Sequence, residues 1–160
     1  GVWAYAIRAA GGSAASRGRY RDLLGEEPLS DLAEAASCTA DMCFLTVPDR
    51  HVAAVAAELA GLGAFSKAQL VAHLSGALPA QALAPAGTLG ADLLGLHPLV
   101  AIADPSVGRD AFRGTVCTLE GSARALVRGE ALVQELGGVP WRVGALQKAR
   151  IHAAAVLASN

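Results

Sequence analysis

Residues 41–47 have the sequence DMCFLTV, and this apolar run stops at Pro48. Such a run is typical of a strand that is covered on both faces of a parallel sheet. Asp49 follows the proline and is expected to cap a helix. The apolar residues of that helix recur on one face, at Val52, Val55, Ala56 and Leu59. A buried strand followed by an amphipathic helix predicts a βα unit.

The same alternation continues outward from this unit in both directions. One helix is predicted from the Gly11-Gly12-Ser13 break to about Leu24, and a short one after Pro28, with Ser30 as its N-cap and Glu34 as the capping partner. Two more are predicted, one from Gly121-Ser122 to about Leu136 and one that begins near Ala145. Further strands are predicted at residues 2–8, 69–74, 92–97, 115–120 and 139–143. The predicted fold class is α/β, with a doubly wound, mostly parallel sheet.

Composition excludes several functional classes. The chain has 160 residues, 53% of them hydrophobic and 17% charged, with a net charge of −1. That charge offers no field for nucleic acid, and no apolar run approaches membrane-spanning length. No charged-then-apolar start resembles a signal peptide, so we expect a cytoplasmic protein. Cys38, Cys43 and Cys117 form no C-x-x-C pair, so we expect reduced, mostly buried cysteines and no metal site.

Four motifs at the ends of predicted elements resemble one family: VPD at 47–49, HLSGA at 73–77, GLHPL at 95–99 and HAAAVLASN at 152–160. They resemble the bacterial proteins with a Rossmann-like N-terminal domain and a C-terminal helical domain of unknown function. These are related to pyrroline-5-carboxylate reductase, ketopantoate reductase and the β-hydroxyacid dehydrogenases, in the 6-phosphogluconate-dehydrogenase-like superfamily. The resemblance implies a Rossmann-like domain over 1–144 and the first helix of the helical domain over 145–160.

The resemblance also implies NADP-dependent reduction of a small carbonyl or imine compound, such as the 2-oxo acid ketopantoate. Members of the family carry G-x-G-x-x-G after their first strand, and this sequence does not contain that motif. We therefore expect the Rossmann-like sheet to lack its first βα unit, which is central and binds the pyrophosphate. Two alternatives stay open: the 160 residues omit a segment of a longer protein, or the sheet closes differently and binds the dinucleotide poorly.

Candidate cofactor contacts lie at the ends of two predicted strands. Arg8 ends the strand at 2–8, where a basic residue accommodates the 2′-phosphate of NADP, and Arg17 follows within reach; both could be ordinary solvated arginines. Val47, Pro48 and Asp49 lie at the carboxyl edge of the sheet, where open α/β sheets bind ligands. By the resemblance, this loop would contact the nicotinamide ribose. Alternatively, Asp49 in this loop only caps the helix that follows.

Candidate substrate contacts follow the next two strands. Ser75 matches the position at which the related β-hydroxyacid dehydrogenases place a substrate-binding serine, and Gly76 permits close approach. His97 ends its strand and either lines the same cleft or satisfies loop carbonyls. His73 lies within a strand and is expected to be a hydrogen-bonded core residue. His51 is expected to be exposed.

The final helix carries the candidate catalytic groups. Lys148 and His152 are four residues apart and share a helix face. Lys148 is the candidate proton donor, His152 its partner or the alternative donor, and Asn160 a substrate hydrogen-bonder, by resemblance to a K-x-x-x-N pattern that this helix does not fully match. Alternatively, Lys148 is a surface residue, and the chain is a non-catalytic binding module or a fragment that dimerises through the apolar residues 153–158. We expect a homodimer with a small-molecule substrate.

Overall fold

The computed structural model describes residues 12–100 and 108–159. In these ranges the strands form one sheet in the order β1-β2-β3-β4-β5, in which only β3 and β4 pair antiparallel. The strands are β1 (Met42–Leu45), β2 (Leu70–His73), β3 (Asp92–Pro98), β4 (Val116–Gly121) and β5 (Val139–Arg142). The mostly parallel α/β class is therefore confirmed. The predicted strand at 2–8, Arg8 and Asn160 lie outside the described residues.

Helices connect the strands, largely as the periodicity predicts. They are α1 (Ala14–Leu24), α2 (Leu32–Ala36), α3 (Asp49–Gly61), a 3₁₀ turn (Ala80–Leu83), α4 (Ala84–Gly87), α5 (Gly108–Ala111), α6 (Ala123–Glu135) and α7 (Ala145–Ser159). Ser13 and Ser122 cap α1 and α6 by accepting hydrogen bonds from backbone N–H groups three residues later. Within the described ranges, every helix is too short or too polar to cross a membrane.

Two predicted caps are wrong. The N-cap of α2 is Asp31, whose carboxylate accepts a hydrogen bond from the backbone N–H of Glu34 at 2.8 Å. Ser30 precedes the cap, and its backbone N–H donates to the Glu34 carboxylate at 2.6 Å. At α3 the cap position is occupied by Pro48 without a side-chain hydrogen bond, and Asp49 is the first helical residue. The Asp49 carboxylate is therefore available to a neighbouring loop.

Packing covers the central strands on both faces. Along β2, Val71 faces one core cluster, while Leu70 and Ala72 face the other. The first cluster includes α3 and α4, and the second includes α6, where Gly129 allows close approach to Leu94. Two layers of helices around one sheet are the doubly wound arrangement that the sequence predicts.

Burial differs from the prediction in two places. β1 lies at an edge of the described sheet, and its Phe44 is 38% exposed, so the expectation of a strand covered on both faces is wrong there. The cysteines are unpaired, as expected, but only Cys117 is fully buried, while Cys38 and Cys43 are half-buried. β5 forms the other edge, where Pro140 is accepted as predicted.

Candidate functional site

The carboxyl ends of β1, β2 and β3 meet at one edge of the sheet, because these three strands are parallel. A cleft of about 220 Å³ opens there. It is lined by Leu45, Thr46, Val47, Asp49, Val52, Leu74 and Ser75. Apolar walls with a carboxylate and a hydroxyl at the rim are the usual composition of a small-ligand site.

Ser75 and Asp49 join two sides of this cleft. The Ser75 hydroxyl donates a hydrogen bond to Oδ2 of Asp49 at 2.7 Å. The same hydroxyl oxygen accepts from the backbone N–H groups of Ala77 and Leu78 at 3.1 and 3.0 Å. The loop after β2 is thereby fixed to the start of α3. Ser75 lies where a substrate contact was predicted, but its hydroxyl is engaged within the protein, and its contact with substrate stays a prediction.

His73 is a hydrogen-bonded core residue, as expected. Its Nδ1 accepts from the backbone N–H of Ser75 at 3.2 Å, so Nε2 carries the proton and donates to the Pro79 carbonyl at 3.1 Å. Burial lowers its pKa, and the nearby charge of Lys148 lowers it further. His73 is therefore a neutral side chain that shapes the loop carrying Ser75.

His97 and His152 form a pair over Gly76. The Nε2 atom of His97 lies 3.1 Å from Nδ1 of His152, and the rings meet edge to face with centroids 4.8 Å apart. The Nδ1–H of His97 donates to the Leu74 carbonyl at 3.0 Å. A Cβ on Gly76 would lie 2.4 Å from His152, so only glycine leaves room for this pair. The pKa of His97 is lowered, and burial is the largest cause of this shift.

Lys148 is the largest fully buried side chain of the described residues, so its interpretation as a surface lysine is wrong. Its Nζ lies 3.4 Å from Oε2 of Glu120, and a Cβ on Gly95 would lie 2.2 Å from that nitrogen. Burial lowers the pKa of Lys148, while the charges of Glu120 and Asp49 oppose the shift. A buried amine of lowered pKa transfers its proton more readily near neutral pH than an exposed lysine does.

The structure brings most of the predicted residues together. Val47, Asp49 and Ser75 line the cleft, while Gly76, His97, His152 and Lys148 lie where α7 meets the sheet. Pro48 is not among the lining residues of the cleft and serves as the N-cap position of α3. No cluster of three or more potential metal ligands occurs among the described residues.

Glu120 is the residue that the sequence reasoning missed. It ends an apolar run, TVCTLE at 115–120, and nothing in that run marks it as a partner of Lys148. The signal lies in strand pairing, because β4 runs antiparallel to β3 and sets Glu120 opposite Gly95. The Arg17 guanidinium donates to the Leu29 carbonyl at 2.9 Å, and its contact with a cofactor phosphate stays a prediction.

Residues 3–98 match the model of the Rossmann-like domain, which is more than half of the chain. The chain belongs to the Rossmann-like domain family. Residues 115–160 match a domain of unknown function, DUF2520, and together the two matches confirm the resemblance on which the sequence prediction rests. The second match begins before the boundary predicted after residue 144, which stays a prediction. No curated protein matches this Rossmann-like chain in sequence.

Solved structures share the Rossmann-like fold. Protein TM1727 from Thermotoga maritima is 22% identical, with a TM-score of 0.64 over 92% of this chain and 53% of its own. BF3122 from Bacteroides fragilis, provisionally assigned as an NADP oxidoreductase, is 16% identical, with a TM-score of 0.73 over 96% and 56%. Prephenate dehydrogenase from Aquifex aeolicus, in complex with hydroxyphenyl propionate and NAD⁺, is 17% identical, with a TM-score of 0.66 over 85% and 50%. This chain spans about half the length of these proteins.

Proposed function

We propose that this protein is an NADP-dependent oxidoreductase that reduces a small carbonyl or imine compound, with a 2-oxo acid such as ketopantoate as the first candidate. The observation that carries the proposal is the fully buried Lys148, which lies with Glu120 and the His97–His152 pair at the ligand-binding edge of a Rossmann-like sheet. Two structural neighbours, one provisionally an NADP oxidoreductase and one a dehydrogenase bound to NAD⁺, support the same reaction class.

The cleft suits the nicotinamide end of the cofactor. Its apolar walls, Leu45, Val52 and Leu74, match a flat ring, while the loop at Val47 and Asp49 offers polar groups for the adjoining ribose. The cofactor in its reduced form, NADPH, would supply a hydride to the carbonyl or imine carbon and leave as NADP⁺. Arg8 is the proposed contact for the 2′-phosphate, and Pro48 fixes the start of the helix beside the ribose.

The protein's own contribution is a proton at the atom that gains negative charge. The Lys148 ammonium is proposed to donate it, because burial lowers the pKa of this amine below that of an exposed lysine and so eases the release of its proton. His152 is the partner or alternative donor, and His97 holds its ring in place. Ser75, Gly76, His97 and Asn160 are the proposed substrate contacts.

Calorimetry and absorbance test the proposal. The purified protein is titrated with NADPH and NADH, and oxidation of NADPH is followed with ketopantoate and other small 2-oxo acids or cyclic imines. We expect tighter binding of NADPH than NADH, and consumption of NADPH with one substrate class. NADPH binding without turnover across the panel would overturn the catalytic role, and absence of any dinucleotide binding would overturn the whole proposal.

A second candidate is a non-catalytic binding or regulatory module on the same scaffold. It is favoured by one observation, the absence of G-x-G-x-x-G from the 160 residues. The calorimetric titration separates the two candidates.

A homodimer is proposed through the exposed apolar residues 153–158 of α7, and light scattering tests it. A cytoplasmic location completes the proposal.

A further inference from the structure

Glu120 joins three elements through one carboxylate oxygen. From the end of β4, its Oε2 accepts a hydrogen bond from the backbone N–H of Ala80 at 2.7 Å, at the start of the 3₁₀ turn. The same oxygen lies 3.4 Å from Nζ of Lys148 on α7. The Glu120 side chain is 15% exposed and that of Lys148 is 0% exposed, so water screens this pair only weakly.

Gly95 provides the space in which the two charges meet. It lies opposite Glu120 in the antiparallel pairing of β3 with β4. A Cβ at this position would lie 2.2 Å from Nζ of Lys148 and 3.1 Å from Oε2 of Glu120. Because Gly95 has no side chain, the Lys148 ammonium can lie against the strand beside the Glu120 carboxylate. Any other residue at this position would displace the ammonium from the strand.

The other ionisable groups around Lys148 do not replace Glu120. From β2 and β3, the buried His73 and the half-buried His97 face the site with lowered pKa values, and an imidazole supplies no negative charge in either protonation state. His152 extends from the same helix toward His97. Asp49, at the start of α3, also raises the pKa of Lys148, but more weakly than Glu120, and its carboxylate accepts the Ser75 hydroxyl. Among the described residues, Glu120 is therefore the main counter-charge of the buried ammonium.

We propose that Glu120 is the positioning residue of Lys148: it holds the ammonium over Gly95, keeps it protonated for donation, and ties it to the turn that follows the Ser75 loop. A buried ammonium that loses its partner releases its proton, because the charged form is the one that burial disfavours. The contact itself is independent of the reaction, whereas its catalytic consequence rests on the proposed function.

The direct test is the titration of Lys148 in Glu120→Gln. The amide oxygen of glutamine can still accept from Ala80, so this variant removes the charge and retains the hydrogen bond. The lysines of the sequence are Lys67 and Lys148, so two ¹³Cε-lysine NMR signals are expected, and Lys67→Arg assigns them. We expect the Lys148 midpoint to fall by about one pH unit or more while Lys67 does not move.

Equal Lys148 midpoints in the wild-type protein and Glu120→Gln would overturn the proposal. If circular dichroism shows that this variant is unfolded, Glu120→Asp takes its place, because it keeps the charge and moves it away from Nζ. We then expect a Lys148 midpoint below that of the wild type, and an unchanged midpoint would again overturn the proposal. These measurements need no turnover, so failure of the proposed reaction leaves them valid.

The rate of NADPH oxidation gives the catalytic readout. A donor must be protonated, so turnover falls as pH rises through the pKa of Lys148. In Glu120→Gln, we expect this alkaline limb to move to lower pH by the same interval as the NMR midpoint. A purely structural role for Glu120 would instead lower the rate equally at every pH and leave the limb in place.

Discussion

The carboxyl edge and the amino edge of the sheet carry different kinds of polar group. At the carboxyl edge, the buried Lys148 ammonium lies beside the partly buried Glu120 carboxylate at Gly95, and the partly buried His97–His152 pair lies over Gly76. At the amino edge, a smaller cleft of about 160 Å³ lies between residues 36–40 and 63–69. There the buried Gln69 is neutral and donates to the Ala40 carbonyl at 2.9 Å, while Arg128 donates to the carbonyls of Ala68 and Asp41.

The difference separates stability from chemistry. At the amino edge, the amide of Gln69 and the permanently charged guanidinium of Arg128 donate hydrogen bonds to backbone carbonyls, and such bonds stabilise loops and change little with pH. Ionisable groups buried beside one another lose solvation, and this loss shifts their pKa values toward those that proton transfer requires. We therefore expect substitutions at the carboxyl edge to affect turnover, and those at the amino edge to affect unfolding.

The largest effect is expected from replacing the buried lysine of the carboxyl edge by alanine, with the exposed lysine of the amino edge as the control. Lys148→Ala removes the proposed proton donor and should lower turnover of NADPH by about 100-fold or more. Lys67 is exposed and precedes β2 at the amino edge, so Lys67→Ala should retain wild-type turnover. Comparable turnover in both variants would show that the buried lysine has no role in the reaction.

A smaller loss is expected when a methyl group is added at Gly76. The Cβ would lie 2.4 Å from His152 and 2.7 Å from His97, so Gly76→Ala should separate the imidazoles and lower kcat/KM by about tenfold. Gly61 ends α3, and a Cβ there would meet no atom within 4 Å beyond its own helix and chain neighbours, so Gly61→Ala is the matched control. Histidine NMR spectra that stay unchanged in Gly76→Ala would contradict the expected displacement.

At the amino edge, Gln69→Ala should reduce stability and leave turnover unchanged. The variant leaves the Ala40 carbonyl and the Ser66 N–H without their partner, which costs about 1–3 kcal/mol in the free energy of unfolding. Urea denaturation measures the loss, and NADPH oxidation at saturating substrate measures turnover. A fall in turnover without a loss of stability would contradict this prediction, because it would show that the amino edge takes part in the reaction.

The smallest effect is expected from mild acid. Burial lowers the pKa of His73 below its usual 6.5, so the unfolded chain binds its proton first as pH falls. Stability should therefore decrease progressively below about pH 6.5, seen as a lower Tm at about pH 5 than at pH 7.5. His73→Gln should show a shallower decrease. If its Tm depends on pH as steeply as that of the wild type, His73 is not the source.

Local patterns were sufficient to predict most elements and the neighbourhood of the site. Ser13 and Ser122 were found as helix starts, and Lys148 with His152 as one helix face. What escaped prediction depends on partners distant in sequence. Glu120 reaches Lys148 only through the antiparallel register of β4, and the exposure of Phe44 depends on which strand lies beside β1. Spacing along one element does not contain that information.

The hydrogen bond from His97 to the Leu74 carbonyl gives the histidine pair a direction. A carbonyl only accepts, so in the neutral pair the proton of His97 stays on Nδ1 and its Nε2 accepts from Nδ1–H of His152. Nε2 of His152 is then the nitrogen that is left without a proton. The Leu74 carbonyl, which follows β2, thus decides which nitrogen of the pair remains an acceptor.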